Sequence, residues 1–461
     1  MKRFFILGIS CVLVLTLFLS SCSLSVVDRE KELKDALDTV YGNLNSTFSE
    51  ETGEFNLITE YIKSWAKGST IEITENSDHY MVLTNPATGG FENKESVTMQ
   101  CSVLNDDFNN SMETLSIGLS ALLGPNEHGN ISLIITEQKT GERIGAAAVN
   151  PKYLQCDNFI NLEYDTNNSL FTSGAKSLTG TAISSITTTA PKYTNAYLIT
   201  MSIRDYTDPF NFSKHYPNPA ETVGSLLASE KSSGKLFQIA SFECEVSNGY
   251  TPHSAAAVVV VDENNVEGFM KKFDSSYENM ENRFDKLDDS FVYTITETDM
   301  PTAVMSEDSS NNLISLMYTL KTGIFLQDEE TEDIISVSNM SDISTQNNNL
   351  TVTIDGRSIY NSTLKLMSNA YLSTSTLCDM EYSLSNERDV WSFDKEKSLG
   401  AFFKKKMFIQ STEKNVLLKS CDLDILASKV SHLNAISYHC SMNCGESSVL
   451  MMTRFMESLA Q

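Results

Sequence analysis

The chain has 461 residues, with 60 acidic and 34 basic side chains and a formal charge of −26. A body this acidic does not hold nucleic acid through phosphate contacts, and an anionic lipid surface repels it. The length suffices for two or three domains with proper cores, and the scattered cysteines form no disulfide framework.

The chain opens with Lys2 and Arg3, an apolar run from Phe4 to Leu19, and then Ser20-Ser21-Cys22. A basic start, a short apolar core and small residues before a cleavage point predict a secretory signal peptide over 1–21. The run is too short for a membrane-spanning helix. A Cys directly after Leu-Ser-Ser resembles the lipobox of bacterial lipoproteins. That resemblance implies acylation of Cys22, cleavage just before it, and an exported, extracytoplasmic body of about 440 residues whose membrane partner is met through the lipid anchor. Stable anchoring takes more than one acyl chain, which a multiply acylated lipoprotein Cys supplies. Ser23, rather than Asp, gives no inner-membrane retention signal in a two-membrane cell. The alternative is an ordinary signal peptide with a stray Cys. Cys11, inside the apolar run, is a poor competitor.

Residues 28–46 carry Leu33, Leu37, Val40, Tyr41 and Leu44 at helical spacing, and Phe55 to Lys67 repeats the pattern. Short β-rich runs follow at 71–75, 80–84 and 96–101, then a helix over 111–123. Ile131 to Thr136 and Phe159 to Glu163 are near-continuous apolar runs, as in strands buried on both faces. This is α/β patterning. From about 188 the texture changes: strands at 196–203, 235–244 and 255–261, helices at 219–230 and 264–286, a strand at 291–297 and a helix at 310–320. Asp328 to Asp333 reads as a solvated loop. After Trp391 the pattern returns to helix, strand, helix. The expected organisation is an α/β domain over 22–187, an inserted α+β block over 188–388, and the rest of the α/β domain over 389–461.

Several landmarks fall in one order. Asn85-Pro86-Ala87-Thr88-Gly89-Gly90-Phe91-Glu92-Asn93 precedes Val97-Thr98-Met99-Gln100. Gly118-Leu119-Ser120-Ala121-Leu122-Leu123, Ile134-Ile135-Thr136-Glu137-Gln138-Lys139-Thr140-Gly141 and Ile160-Asn161-Leu162-Glu163 follow. Tyr438-His439-Cys440-Ser441-Met442-Asn443-Cys444-Gly445 closes the set. From about residue 30 to 446 the chain resembles the bacterial aminoacyl-histidine dipeptidases, two-metal exopeptidases related to carnosinases and aminoacylases. The resemblance implies a zinc-exopeptidase-like catalytic domain, an α/β/α sandwich in two segments, interrupted by an α+β lid through which a homodimer can form.

It also implies a site, in which two divalent cations share a carboxylate and a Glu acts as general base on bound water. Residue by residue, that site is degenerate. The ligand His after the first strand falls on Ser102, and its supporting Asp on Leu104. The bridging Asp falls on Ser111, with Asp106 and Asp107 close by. The base falls on Gln138 and the next ligand on Lys139. The following carboxylate survives as Glu163 and the final His as His439. The lid His falls near Thr207, and the substrate-binding segment near Gly249 to Ser254 is not matched. Arg357-Ser358 resembles a lid segment that binds the substrate's polar end, or else forms an exposed turn after Asp355-Gly356.

Two single ligands do not hold two cations, and Gln138 cannot take a proton from water. No metal cofactor is expected. Lys139 is expected to fill the vacated space and pair with Glu163, and His439 to be a satisfied buried histidine. The resulting expectation is a non-catalytic surface lipoprotein whose cleft, around Lys139, Glu163, Arg357 and His439, binds a peptide or amino-acid-like ligand or a protein partner. The alternative is a zinc-dependent dipeptidase using Asp106, Asp107, Glu137, Glu163 and His439. A third possibility is a structural surface protein with an idle cleft. Minor readings are a Ser-Lys nucleophile pair from Ser102 or Ser111 with Lys139, and a structural zinc at His439, Cys440 and Cys444, which lacks a second ligand pair. Asn45-Ser46-Thr47 is a sequon by pattern and carries no weight in a bacterial lipoprotein.

Overall fold

The computed structural model describes residues 26–48, 54–104, 108–139, 143–166, 168–203, 217–247, 251–284, 291–329, 334–388, 391–392, 394, 397–406, 416–417 and 421–461. The chain divides into two compact units, Met1–Gly174 with Val390–Gln461, and Ala175–Asp389. The first boundary falls before the strand Lys176–Ser185, not at 187/188. That strand pairs along its length with Asn349–Ser358 and is edged by Glu381–Arg388, so it belongs to the inserted unit.

The first unit is built on seven strands: β1 (Glu72–Asn76), β2 (Tyr80–Asn85), β3 (Val97–Leu104), β4 (Ile131–Gln138), β5 (Asn158–Tyr164), β6 (Ser169–Phe171) and β7 (Ala435–Cys440). Their order in the sheet is β1-β2-β4-β3-β5-β7-β6. β3, β4, β5 and β7 pair in parallel, while β1, β2 and β6 run antiparallel at the edges. All six residues of β7 are buried, as are seven of the eight of β4. Burial on both faces is why these strands read as apolar runs without alternation.

Both faces are covered, which makes the α/β/α sandwich. One carries α1 (Val26–Phe48), α2 (Phe55–Ala66), α3 (Phe108–Leu123) and, from the C-terminal segment, α5 (Ser398–Lys406) and α7 (Gly445–Ala460). α1 places Leu33, Leu37, Val40, Leu44 and Phe48 on its buried stripe, at the spacing of a helix lying on a core. The other face carries the short helices α4 (Ile144–Ala148) and α6 (Asp422–Ala427). They pack through Ala146, Leu423 and Leu426 on Tyr80, Val82, Ile134, Phe159 and Ala435. Period-two alternation sends Met81, Ile135 and Cys440 into the first core, and their sequence neighbours toward the second face.

The inserted unit holds two large antiparallel sheets and a two-stranded pairing of Thr188–Thr189 with Val304–Met305. Four strands run in the order Phe237–Ser247, Thr251–Val261, Asn195–Ser202, Val292–Glu297. Five run in the order Gly323–Gln327, Ile334–Ser344, Asn349–Ser358, Lys176–Ser185, Glu381–Arg388. Helices Pro219–Ser232, Glu307–Thr319, Val266–Arg283 and Asn361–Leu377 share one core with both sheets. The sequence patterning passes over residues 334–388. There the strand Ile-Ile-Ser-Val-Ser-Asn-Met-Ser-Asp-Ile-Ser buries Ser336, Ser338, Asn339 and Ser341 and shifts register between Met340 and Asp342. Buried hydroxyls and a bulge erase the apolar alternation that marks a strand.

Candidate functional site

Ligands of open α/β sheets bind at the carboxyl ends of the parallel strands. Here those ends carry Ser102 on β3, Gln138 on β4, Glu163 on β5 and His439 on β7, so four of the predicted positions do converge on one sheet edge. Ser111 lies in the first turn of α3, where its Oγ accepts the Leu104 N–H at 2.9 Å. Cys22, Asp106, Asp107, Thr207 and Gly249 lie outside the described residues.

One step below that edge runs a second polar row on the same face: Gln100, Thr136, Asn161 and Ser437, all buried. It is met from α6 by Asp422, a fully buried carboxylate. Asp422 Oδ2 accepts from Thr136 Oγ1 at 2.8 Å and from Gln100 Nε2 at 3.0 Å. Its Oδ1 takes the Arg143 guanidinium at 2.8 Å, and that side chain is only 9% exposed. Burial works against the Arg143 charge, but Asp422 and Glu163 more than offset it and hold the guanidinium above its ordinary pKa. Burial pulls the Asp422 carboxyl the other way, above its ordinary value, with the Arg143 charge opposing that shift in part. On the far side Asn161 Nδ2 donates to Ser437 Oγ at 2.8 Å and more weakly to Glu163 Oε1 at 3.4 Å. The Ser437 hydroxyl meets His439 Nε2 at 3.0 Å. These donations leave Gln100 Oε1 and Asn161 Oδ1 buried without a protein partner.

Local structure explains the placement. Cys421 caps α6, and Asp424 answers the cap from the third helical position, which fixes Asp422 at the first turn over the sheet. α4 starts directly after Arg143 and presses Gly145 onto the chain. A Cβ there would lie 2.4 Å from Glu137 N and 2.6 Å from His79 O, so only glycine permits this approach.

The expected Lys139–Glu163 pair does not form. Lys139 is half exposed, and its ammonium stands 3.6 Å from Glu137 Oε1, whose other oxygen meets His79 Nδ1 at 2.8 Å. The cation that sits among the carboxylates is Arg143. For the Ser-Lys pair, the Lys139 ammonium stands against Glu137, and the Ser111 hydroxyl accepts from the Leu104 amide. His439 is buried, bonded to Ser437 and packed on Phe171 with ring centroids 4.7 Å apart. Cys440, its neighbour on the strand, points into the opposite core. Arg357 is not in an exposed turn: it lies within the strand Asn349–Ser358 of the inserted unit and is 5% exposed. Sequence reasoning missed Arg143 and Asp422, and it treated Gln100, Thr136 and Asn161 only as landmarks. Polar residues inside the apolar runs were the one available signal.

A pair of divalent cations does not fit this donor set. Hydroxyls, an amide and an ammonium stand at Ser102, Ser111, Gln138 and Lys139, where the sequence resemblance would put metal ligands and a base, and a guanidinium already lies against the nearest buried carboxylate. Among the described residues no group of three or more His, Cys, Asp or Glu is placed to hold a metal ion.

No family model matches the chain, and no curated protein matches it. Solved structures do. The aminoacylhistidine dipeptidase of Vibrio alginolyticus is 16% identical, with 96% of this chain and 98% of that one covered and a TM-score of 0.54. This chain has the fold of that peptidase. Aminopeptidase PepT of Bacillus cereus (10% identity, 93% and 99% covered, TM-score 0.48) and human carnosine dipeptidase 1 (10%, 94% and 100%, 0.38) are also similar to it.

Proposed function

We propose that this protein is an exported, lipid-anchored member of the dipeptidase fold that binds a peptide or amino-acid-like ligand, or a protein partner, without hydrolysing it. The observation that carries this reading is the buried Arg143–Asp422 contact, 2.8 Å long, beneath the strand ends. It puts a fixed cation beside Asp422 and Glu163. Ser102, Ser111, Gln138 and Lys139 add no anionic ligand and no base. Mutual charge satisfaction within the protein takes the place that metal charge has in a two-metal hydrolase.

The second reading is a metal-dependent dipeptidase with an atypical site, as the likeness to the Vibrio alginolyticus enzyme suggests. Metal analysis of the chain from Ser23 onward, with a dipeptidase assay on the same sample, separates the two. The first reading expects no stoichiometric zinc or manganese and no chelator-sensitive cleavage. Tight stoichiometric metal with hydrolysis that a chelator abolishes sinks it.

A further inference from the structure

The inserted unit holds a cavity of about 480 Å³, inside the size range of small-molecule sites. Its floor is buried and polar. Asn218 Nδ2 donates to Asn339 Oδ1 at 2.8 Å, while Asn218 Oδ1 caps the helix Pro219–Ser232 by accepting from Ala220 N at 2.9 Å. Ser338 lies beside them, held by the Tyr371 hydroxyl. Bonds made in both directions keep this floor rigid.

Two charges look into the cavity. Glu221 stands in the first turn of Pro219–Ser232, bonded to Thr322, and burial pushes its carboxyl up to about 6. Arg283 ends the helix Val266–Arg283 at the exposed rim, its guanidinium carbon 5.1 Å from the centre of the Phe284 ring. Arg283 acts on Glu221 through space, yet among the described residues it forms no ion pair. The cavity therefore offers one anion and one cation that feel each other through space without closing into an ion pair. A ligand carrying only negative charge meets Glu221, and one carrying only positive charge meets Arg283. A ligand with one charge of each sign satisfies both, and Arg283 can grip a carboxylate with its two-pronged donor edge.

We propose that this cavity binds a small zwitterion of the α-amino-acid class, its carboxylate taken by Arg283 and its ammonium by Glu221. The cavity is lined by residues of the inserted unit alone, and the proposal does not depend on the function proposed above.

Titration calorimetry of the full chain with the common free α-amino acids tests this. At least one should bind, and its N-acetyl and C-terminal amide forms should bind at least about ten-fold more weakly, since each loses one charge-assisted contact. Glu221→Gln and Arg283→Gln should each weaken binding of the free amino acid to the same degree. Arg283 is exposed, so its variant keeps the fold, which an unchanged melting curve verifies. The proposal falls if no free amino acid binds, or if blocking either end leaves affinity intact. It also falls if both variants bind as the parent does, which would assign the ligand to another site.

Discussion

Arg143 and Asp422 stand 279 positions apart and meet at 2.8 Å with almost no solvent between them and the core. Removing one partner strands the other charge. Arg143→Met should destabilise the first unit by about 3–5 kcal/mol, whereas Arg143→Met with Asp422→Leu should recover much of that loss. A double-mutant cycle by urea unfolding measures the coupling. Glu230 poses the opposite problem, a buried carboxyl whose two oxygens have no hydrogen-bond partner. Burial, only partly opposed by Lys235 and Lys272, raises its pKa from 4.5 to about 7. A pKa raised on folding means the fold prefers the protonated form. The contribution is fully present below about pH 4.5 and is lost as pH rises through about 7, a change of roughly 3 kcal/mol. Thermal melts across that window should show the parent losing stability toward pH 8 relative to Glu230→Gln; parallel curves would refute the assignment.

At the level of elements, α4 is a five-residue helix with one decisive contact. Gly145 rests on the β4 backbone at Glu137, and backbone cannot move aside as a side-chain end can. Gly145→Ala should cost about 1–3 kcal/mol and displace Arg143, the residue that opens the helix. Loss of denaturation midpoint, together with a weakened Arg143–Asp422 coupling in the same cycle, checks it. The apolar strands and the long amphipathic helices α1 and α2 were legible because burial and periodicity coincide in them. α4 and α6 were not. Each has too few turns to show a period, and the few apolar residues that hold it, Ala146 in one and Leu423 and Leu426 in the other, make no stripe that a sequence pattern can reveal. The Ser- and Asn-rich strand Ile334–Ser344 was equally silent, since its buried groups are polar.

For the whole molecule, the lipid on Cys22 is the proposed tether of an acidic body that an anionic membrane surface would repel. Cys22→Ser should move the protein from the membrane fraction to the soluble fraction of the producing cells and abolish incorporation of labelled fatty acid; unchanged partitioning would refute the anchor. The sequence alone determined the α/β class and the likeness to a dipeptidase, because hydrophobic periodicity and ordered landmarks are local features of the chain. It also puts two hydroxyls, an amide and an ammonium at Ser102, Ser111, Gln138 and Lys139, where the resemblance would expect metal ligands and a base, since the chemistry of a position is visible in the residue itself. What occupies the place of that chemistry only the tertiary structure decided. Lys139 turns to Glu137 at the sheet edge, and Arg143 enters instead. A charge pair closed by residues 279 positions apart leaves no trace in spacing or period. It exists only once β3, β4 and α6 are packed together.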